Sequence, residues 1–432
     1  MRPFIVAIFL LGLLAAPASA QFQSSNVSLL RKLPASAGAI GARFSEDGTK
    51  MYVTSAAGLQ IYDISQADQP KLLSLLPLPH FENEDVDVGR DTVVITNDPS
   101  FSGIGAIYLI DVSDPAAPAL RSVLPTSDTT QNGHVANCIA GCDYLYTTGT
   151  AEGLAVYDIR DLAAPRFVKT IPLPGDGFTH DVHVDAAGVA WVTGEDGTFG
   201  FDVSDPLNPA LLYRSDPSIV NTGGGLPGDD GSGPLDFLHH NMLRTSINLS
   251  DAGELSEAAK GQGNVLAITE EDYLKPGCEG QGSLQTWRIT DERNPDGSIK
   301  LELLDLWTTE LNELIATTGR SPATVNCSAH WFDEQGGVIA QGWYDQGVRF
   351  LDISNPRDIK QVGYYATLGT FWAAYFAPGD PGTVYGLDVA SGIDVLHFDR
   401  GGPARRAPIT TGGAVRFGKP SSRWGFACPL AI

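Results

Sequence analysis

The sequence predicts an all-β fold, a β-propeller of seven four-stranded blades in one domain. Three observations predict it. One strand motif recurs along the chain, its copies fall at a blade-sized period, and the N-terminal segment resembles the strand that the last copy lacks.

The recurring unit reads hydrophobic-hydrophobic-Asp-Ile/Val-Ser-Asp-Pro-x-x-Pro. Five copies end their strand at Asp63, Asp111, Asp158, Asp202 and Asp352. Two weaker copies place Arg288 and His397 at that position. The steps between successive copies are 48, 47, 44, 86, 64 and 45 residues, so the period is in the mid-forties with two insertions. Four strands per repeat of that length is the arithmetic of a propeller blade. The motif explains its own ending. Asp caps a turn through its side chain, and Pro fixes φ and cannot continue a ladder.

The other strands of each unit follow from alternation and turn residues. A polar or His-bearing strand comes first. A run such as Tyr144 to Thr148 or Ala190 to Thr193 comes second, then a glycine turn, then the motif strand. A Pro-x-x-hydrophobic segment closes the unit, as at Pro118 to Leu124. Six motif strands have such a closing strand. The seventh, around Val395, is followed only by the tail. Val27 to Pro34 resembles Leu72 to Pro77, so the N-terminal strand is expected to complete the last blade and remove two open sheet edges.

These repeats resemble the LVIVD repeat of exported bacterial and archaeal β-propeller proteins. The resemblance covers most of Val27 to Asp399. It implies the architecture and is silent on activity, because fold alone does not give function.

The domain plan is therefore a signal peptide over 1–20, a propeller over 21–400 with an insertion over 218–263 in blade five, and a tail over 401–432. Arg2, the apolar run Phe4 to Ala16 and the small residues Ala18 to Ala20 predict cleavage near Gln21 and a secreted or periplasmic protein. No later run is apolar enough for a membrane helix. The insertion begins with a loop of turn residues, Asn221 to Pro234, and Ser250 to Gln262 reads as a short helix. Its acids Asp229 and Asp230 lack the ligand spacing of a calcium loop. Asn26, Asn248 and Asn326 each open an Asn-x-Ser sequon.

The chain carries 28 basic and 51 acidic residues, a formal net charge of -23. That argues against nucleic acid and anionic membranes as partners, since both need a cationic surface. A small molecule, glycan or protein at the propeller face is the expected partner, and the chain is expected to be a monomer. Of five cysteines, Cys138 and Cys142 have a spacing that a tight hairpin bridges. Cys278, Cys327 and Cys428 remain, one of them unpaired.

The sharpest functional signal is a histidine register. The starts of the first strands read Glu84 to Asp87, His134 to Asn137, His180 to His183, His239 to Met242, Cys327 to His330 and Trp372 to Tyr375. Six of the eight histidines fall in this register. First strands line a propeller's central channel, so equivalent positions converge in space. Imidazoles with a carboxylate suit a transition metal. The expected ligands are Glu84, His134, His180, His239 or His240, and His330, with copper, zinc and manganese all open. Cys327 is a further ligand or a disulfide partner of Cys278. Tyr375, His183 and His330 are the candidates for proton transfer. A wet channel filled by half-polar rings is the competing reading.

Two functions follow. The first is a binding or interaction protein with a His-rich metal or ligand site at the channel mouth. The second is a metal-dependent enzyme, resembling in architecture either the seven-bladed copper methanethiol oxidases or the propeller polysaccharide lyases. The full motif of neither is present, and no nucleophile elbow, phosphate loop or dinucleotide fingerprint occurs.

Overall fold

The computed structural model describes residues 21–78, 85–97, 106–125, 133–149, 153–175, 177–220, 238–250, 263–272, 282–311 and 326–401. The segment 1–20, expected to be a signal peptide, falls outside them, as do Glu84, Cys278, Cys428, the residues beyond 401 and most of the expected insertion.

Two N-terminal strands, β1 (Phe22–Gln23) and β2 (Val27–Leu33), precede the repeats. The repeats then fold as successive antiparallel meanders in chain order. The first comprises β3 (Ala42–Phe44), β4 (Lys50–Ser55), β5 (Gly58–Asp63) and β6 (Lys71–Leu76). The second is β7 (Val86–Gly89), β8 (Thr92–Asn97), β9 (Ala106–Asp111) and β10 (Ala119–Pro125). The third is β11 (Ala136–Ile139), β12 (Tyr144–Thr147), β13 (Leu154–Asp158) and β14 (Arg166–Ile171). The fourth is β15 (Thr179–Val184), β16 (Val189–Gly194), β17 (Gly197–Asp202) and β18 (Ala210–Ser215), followed by one helical turn, Pro217–Val220. The fifth is β19 (Leu238–Arg244), β20 (Val265–Glu271), β21 (Ser283–Arg293) and β22 (Ile299–Trp307). The sixth is β23 (Phe332–Gln335), β24 (Val338–Trp343), β25 (Gly347–Asp352) and β26 (Lys360–Ala366). The last is β27 (Phe371–Ala377), β28 (Asp380–Asp388) and β29 (Gly392–Phe398).

β2 lies antiparallel on β29, with Val27 opposite Phe398 and Leu33 opposite Ile393, and supplies the fourth strand of that sheet. Two features exceed the sequence expectation. β1 adds a fifth strand to the sixth meander through Phe22–Ala366 and Gln23–Tyr365. The fourth and fifth meanders merge into one eight-stranded sheet, because β18 and β22 pair in parallel over Tyr213–Ser215 and Ile299–Leu301. β21 runs eleven residues and its register shifts between Ile289 and Arg293, which carries the start of β22 alongside β18. Each addition covers a sheet edge that would otherwise present open backbone groups.

The motif ends as its residues dictate. Asp63, Asp111, Asp202 and Asp352 accept the backbone N–H two residues on, at 2.8–2.9 Å. The second Asp of the motif repeats the device, with Asp114, Asp161 and Asp205 accepting from Ala116, Ala163 and Leu207 at 3.0 Å. Two consecutive Asx turns thus break the strand before proline closes it. The glycine that opens each motif strand is also forced. Gly153 has φ of 116°, and a Cβ there would stand 2.1 Å from the Ile171 carbonyl oxygen.

The core lies between neighbouring sheets. Ile61 and Val93 share one cluster, Leu109 and Ala155 the next, and Trp191 and Trp287 a third. Tyr385 packs with Met51 and donates its hydroxyl to the Ala67 carbonyl at 2.8 Å, so the last sheet meets the first. The inner strands contact one another in the order β3, β7, β11, β15, β19, β23, β27. First strands from the whole chain therefore surround one axis.

Candidate metal centre

Backbone bonds between first and second strands set the true alignment. Ile40, His134 and His330 each donate N–H to the carbonyl of Thr54, Thr148 and Gly342. Those three residues donate back to Gly41, Val135 and Trp331. Thr96 donates likewise to Asp85. His330 is therefore the first residue of its unit, not the fourth, and Cys327 precedes the register. Cys327 is disulfide-bonded, which removes it as a ligand. Cys138 and Cys142 form a disulfide across their tight turn, as their spacing suggested.

The inner ends of four consecutive first strands bring His134, His180, His240 and His330 into an arc. Ring centroids are 4.4 Å apart for His134–His180, 4.1 Å for His180–His240 and 3.9 Å for His240–His330. Trp372 continues the arc at 4.5 Å from His330. All four histidines are buried. A second tier holds the backbone in place. The hydroxyls of Thr96, Thr148 and Thr193 donate to the carbonyls of His134, His180 and His240, and the Gln341 amide donates to that of His330.

The ring protons can be assigned from the partners. His180 Nδ1 is 3.1 Å from the His240 carbonyl oxygen, and His330 Nδ1 is 2.8 Å from that of Trp372. A carbonyl only accepts, so both Nδ1 atoms carry the proton. His240 Nδ1 makes the same kind of bond to Asn241 Oδ1 at 3.2 Å. Nε2 is then the unprotonated nitrogen of each of the three rings. His134 Nε2 lies 2.9 Å from His180 Nε2. Burial, then the neighbouring imidazoles, hold His180 and His240 well below the usual histidine range; burial does the same for His330. The rings are therefore neutral donors.

Glu271 supplies the carboxylate. It ends β20 and is buried, with Oε2 3.8 Å from His240 Nε2 and Oε1 3.8 Å from His330 Nε2. The Tyr344 hydroxyl donates to Oε1. Donor atoms of His180, His240 and Glu271 all lie within 4.8 Å of one another, the span of ligands around one ion. His240 Nε2 has no hydrogen-bond partner and no exposed surface.

Several expectations change at this point. Glu84, the expected carboxylate, lies outside the described residues. His239 turns away: its Nδ1 is 2.9 Å from Thr198 Oγ1 and its ring meets Trp287 edge-on at 5.6 Å. A strand's alternation allows only one of an adjacent pair to face the axis, and His240 takes that place. Glu271 was legible as a signal: the acidic run Glu270 to Asp272 ends a strand otherwise reading Val-Leu-Ala-Ile-Thr. His183 and Tyr375 stand apart from these donors. Both line a cavity of about 170 Å³ with Arg43, Asp181, Trp331 and Asp333.

No family model matches the chain, and no curated protein does. Solved structures match in fold. The β-propeller domain of Cps50 (Swd1) from Myceliophteria thermophila is 10% identical, with TM-score 0.58, over 86% of this chain and 100% of that one. Kuenenia stuttgartiensis hydrazine synthase is 11% identical with TM-score 0.51 over 85% and 96%, and the RRP9 WD40 repeats are 10% identical with TM-score 0.52 over 87% and 98%. At these identities the likeness speaks to fold alone. The chain has an all-β, β-propeller fold. Among the described residues no helix is long and apolar enough to cross a membrane.

Proposed function

We propose that this chain is an exported seven-bladed β-propeller, of the kind the LVIVD repeats suggest, that binds one transition-metal ion at the end of its channel. The ligands are His180 and His240 through Nε2 and Glu271 through its carboxylate, with His134 and His330 flanking them. The observation that carries the proposal is His240 Nε2, buried, unpartnered, and facing a buried carboxylate 3.8 Å away. An orphaned buried acceptor costs about 1–3 kcal/mol unless something binds it. A metal ion binds it, and the oxygens that accept from Nδ1 of His180, His240 and His330 orient the rings as the hydrogen-bond partners of ligands do at metal sites.

A set of imidazoles with one carboxylate suits zinc, copper, nickel or ferrous iron better than calcium or magnesium, which prefer all-oxygen shells. The Cys138–Cys142 disulfide supports an oxidising compartment and hence export. The broad propeller faces supply a scaffold for partner binding. His183 and Tyr375 lie among other residues than the metal donors, so no catalytic role is assigned to them.

The test is titration calorimetry of chelator-stripped protein with zinc and copper(II), beside a His180→Ala/His240→Ala double variant. The proposal expects one site per chain, lost in the double variant. Equal binding by both proteins, or none by the parent, overturns it.

A further inference from the structure

The channel holds a second feature, to which Asp181 and Trp331 contribute directly after His180 and His330 on the same inner segments, and Arg43, His183, Asp333 and Tyr375 from further along them. Arg43, Asp181, His183, Trp331, Asp333 and Tyr375 surround the cavity of about 170 Å³. A cavity of about 150 Å³ admits a benzene-sized molecule. Arg43 is committed to its own wall. Its guanidinium is 3.3 Å from Asp85 and 3.9 Å from Asp87, and it stacks 5.7 Å from the Trp331 ring. Asp333 accepts two backbone N–H groups, from Glu334 at 2.8 Å and Phe376 at 3.0 Å.

Asp181 is provided for only in part, by the Val182 backbone N–H. It is 2% exposed, and its Oδ1 has no hydrogen-bond partner. Trp331 is 4% exposed and its Nε1 is likewise without an acceptor. One wall thus presents an orphaned acceptor and another an orphaned donor. The carboxylates Asp85, Asp87, Asp181 and Asp333 outnumber the single guanidinium, while burial, then Arg43, holds His183 near a pKa of about 4 and therefore neutral.

We infer that this cavity is a binding site for a small organic cation, a primary ammonium compound of roughly six to eight heavy atoms. The ammonium donates to Asp181 and a hydroxyl or carbonyl oxygen of the ligand accepts from Trp331. Phe44, Trp331 and Tyr375 cover its carbon atoms, where aromatic faces favour cations. A hard divalent ion is excluded by the wall chemistry, since it needs six or more oxygens and the lining is largely aromatic and aliphatic. This inference does not depend on the metal reading.

The experiment is calorimetric titration of the chelator-stripped full chain with 4-amino-1-butanol, with tetramethylammonium, with 1,4-butanediol and with magnesium. Saturable binding of the amino alcohol is expected, at least about tenfold tighter than that of the other three, since each lacks the ammonium N–H donors, the charge or the oxygen. Asp181→Asn is expected to weaken it by about tenfold or more. No saturable binding, equal binding of tetramethylammonium, or displacement by magnesium overturns the inference. Should Asp181→Asn fail to fold, the selectivity of the native chain decides. Because the titration contains no transition metal, its failure is separable from failure of the metal proposal.

Discussion

His240→Ala is the perturbation that bears most directly on the energetics of the metal centre. The ring sits between His180 and His330, and its Nε2 faces Glu271. The ligand set is already ordered by carbonyl, hydroxyl and amide contacts, so binding loses little free energy to rearrangement. Structural zinc sites bind with about 10–16 kcal/mol, which places Kd at about 10⁻⁸ M or tighter. At a thousandfold excess over Kd, linkage stabilises the fold by about 4 kcal/mol. A ring of this length has an unfolding entropy of roughly 0.8 kcal/mol/K, from about 2.1 cal/mol/K per residue. Zinc should therefore raise Tm by about 5 °C. Differential scanning fluorimetry with and without micromolar zinc, on stripped protein, reads this difference. His240→Ala should lower the metal-free Tm, because a buried ring is lost, and should also shrink the zinc increment to under about 1 °C. His239→Ala should keep the increment. An increment unchanged in His240→Ala, or lost in His239→Ala, would refute the assignment of the inward-facing ring.

Three further outcomes follow from the same structure. Burial and Arg43 hold His183 at about 4 against an ordinary value near 6.5, so the unfolded chain takes up a proton first and stability falls as pH drops from 6.5 to 4. His183→Gln should lose less on acidification, by about 1–2 kcal/mol after allowance for its partial exposure, as urea melts across that range would show. Gly153→Ala should cost about 1–3 kcal/mol, because its φ is positive and the new Cβ meets the Ile171 carbonyl; a denaturant midpoint equal to wild type would contradict this. Deleting 21–33 removes β1 and β2 and exposes the edges of β26 and β29. Loss of monomeric protein on size exclusion is expected, whereas an intact monomer with unchanged Tm would show that these strands do not secure the ring.

The sequence carried the repeat clearly because its punctuation is chemical. Asp63, Asp111, Asp202 and Asp352 stop their strands by side-chain capping, and such turns read directly from residue type. The pairing of Val27–Leu33 with β29 was visible for the same reason, as a lone strand whose pattern matched the missing one. The union of β18 with β22 was not, since it depends on a register shift late in β21 that no residue announces. At the site, strand alternation could not choose between His239 and His240, because their neighbours are equally buried. Only the second-strand partners decide, and those sit up to thirty residues away in the chain. Glu271 arrives from the second strand of the fifth meander, outside the first-strand register that the histidines mark.

The most direct measurement is anomalous diffraction, above and below the zinc or copper edge, from crystals of the full mature chain grown with one equivalent of metal. The account predicts a single strong peak bonded to Nε2 of His180 and His240 at about 2.0–2.1 Å and to a Glu271 oxygen at about 2.0–2.2 Å. A peak elsewhere in the molecule, or an empty histidine arc in crystals whose solution metal is confirmed, would contradict it.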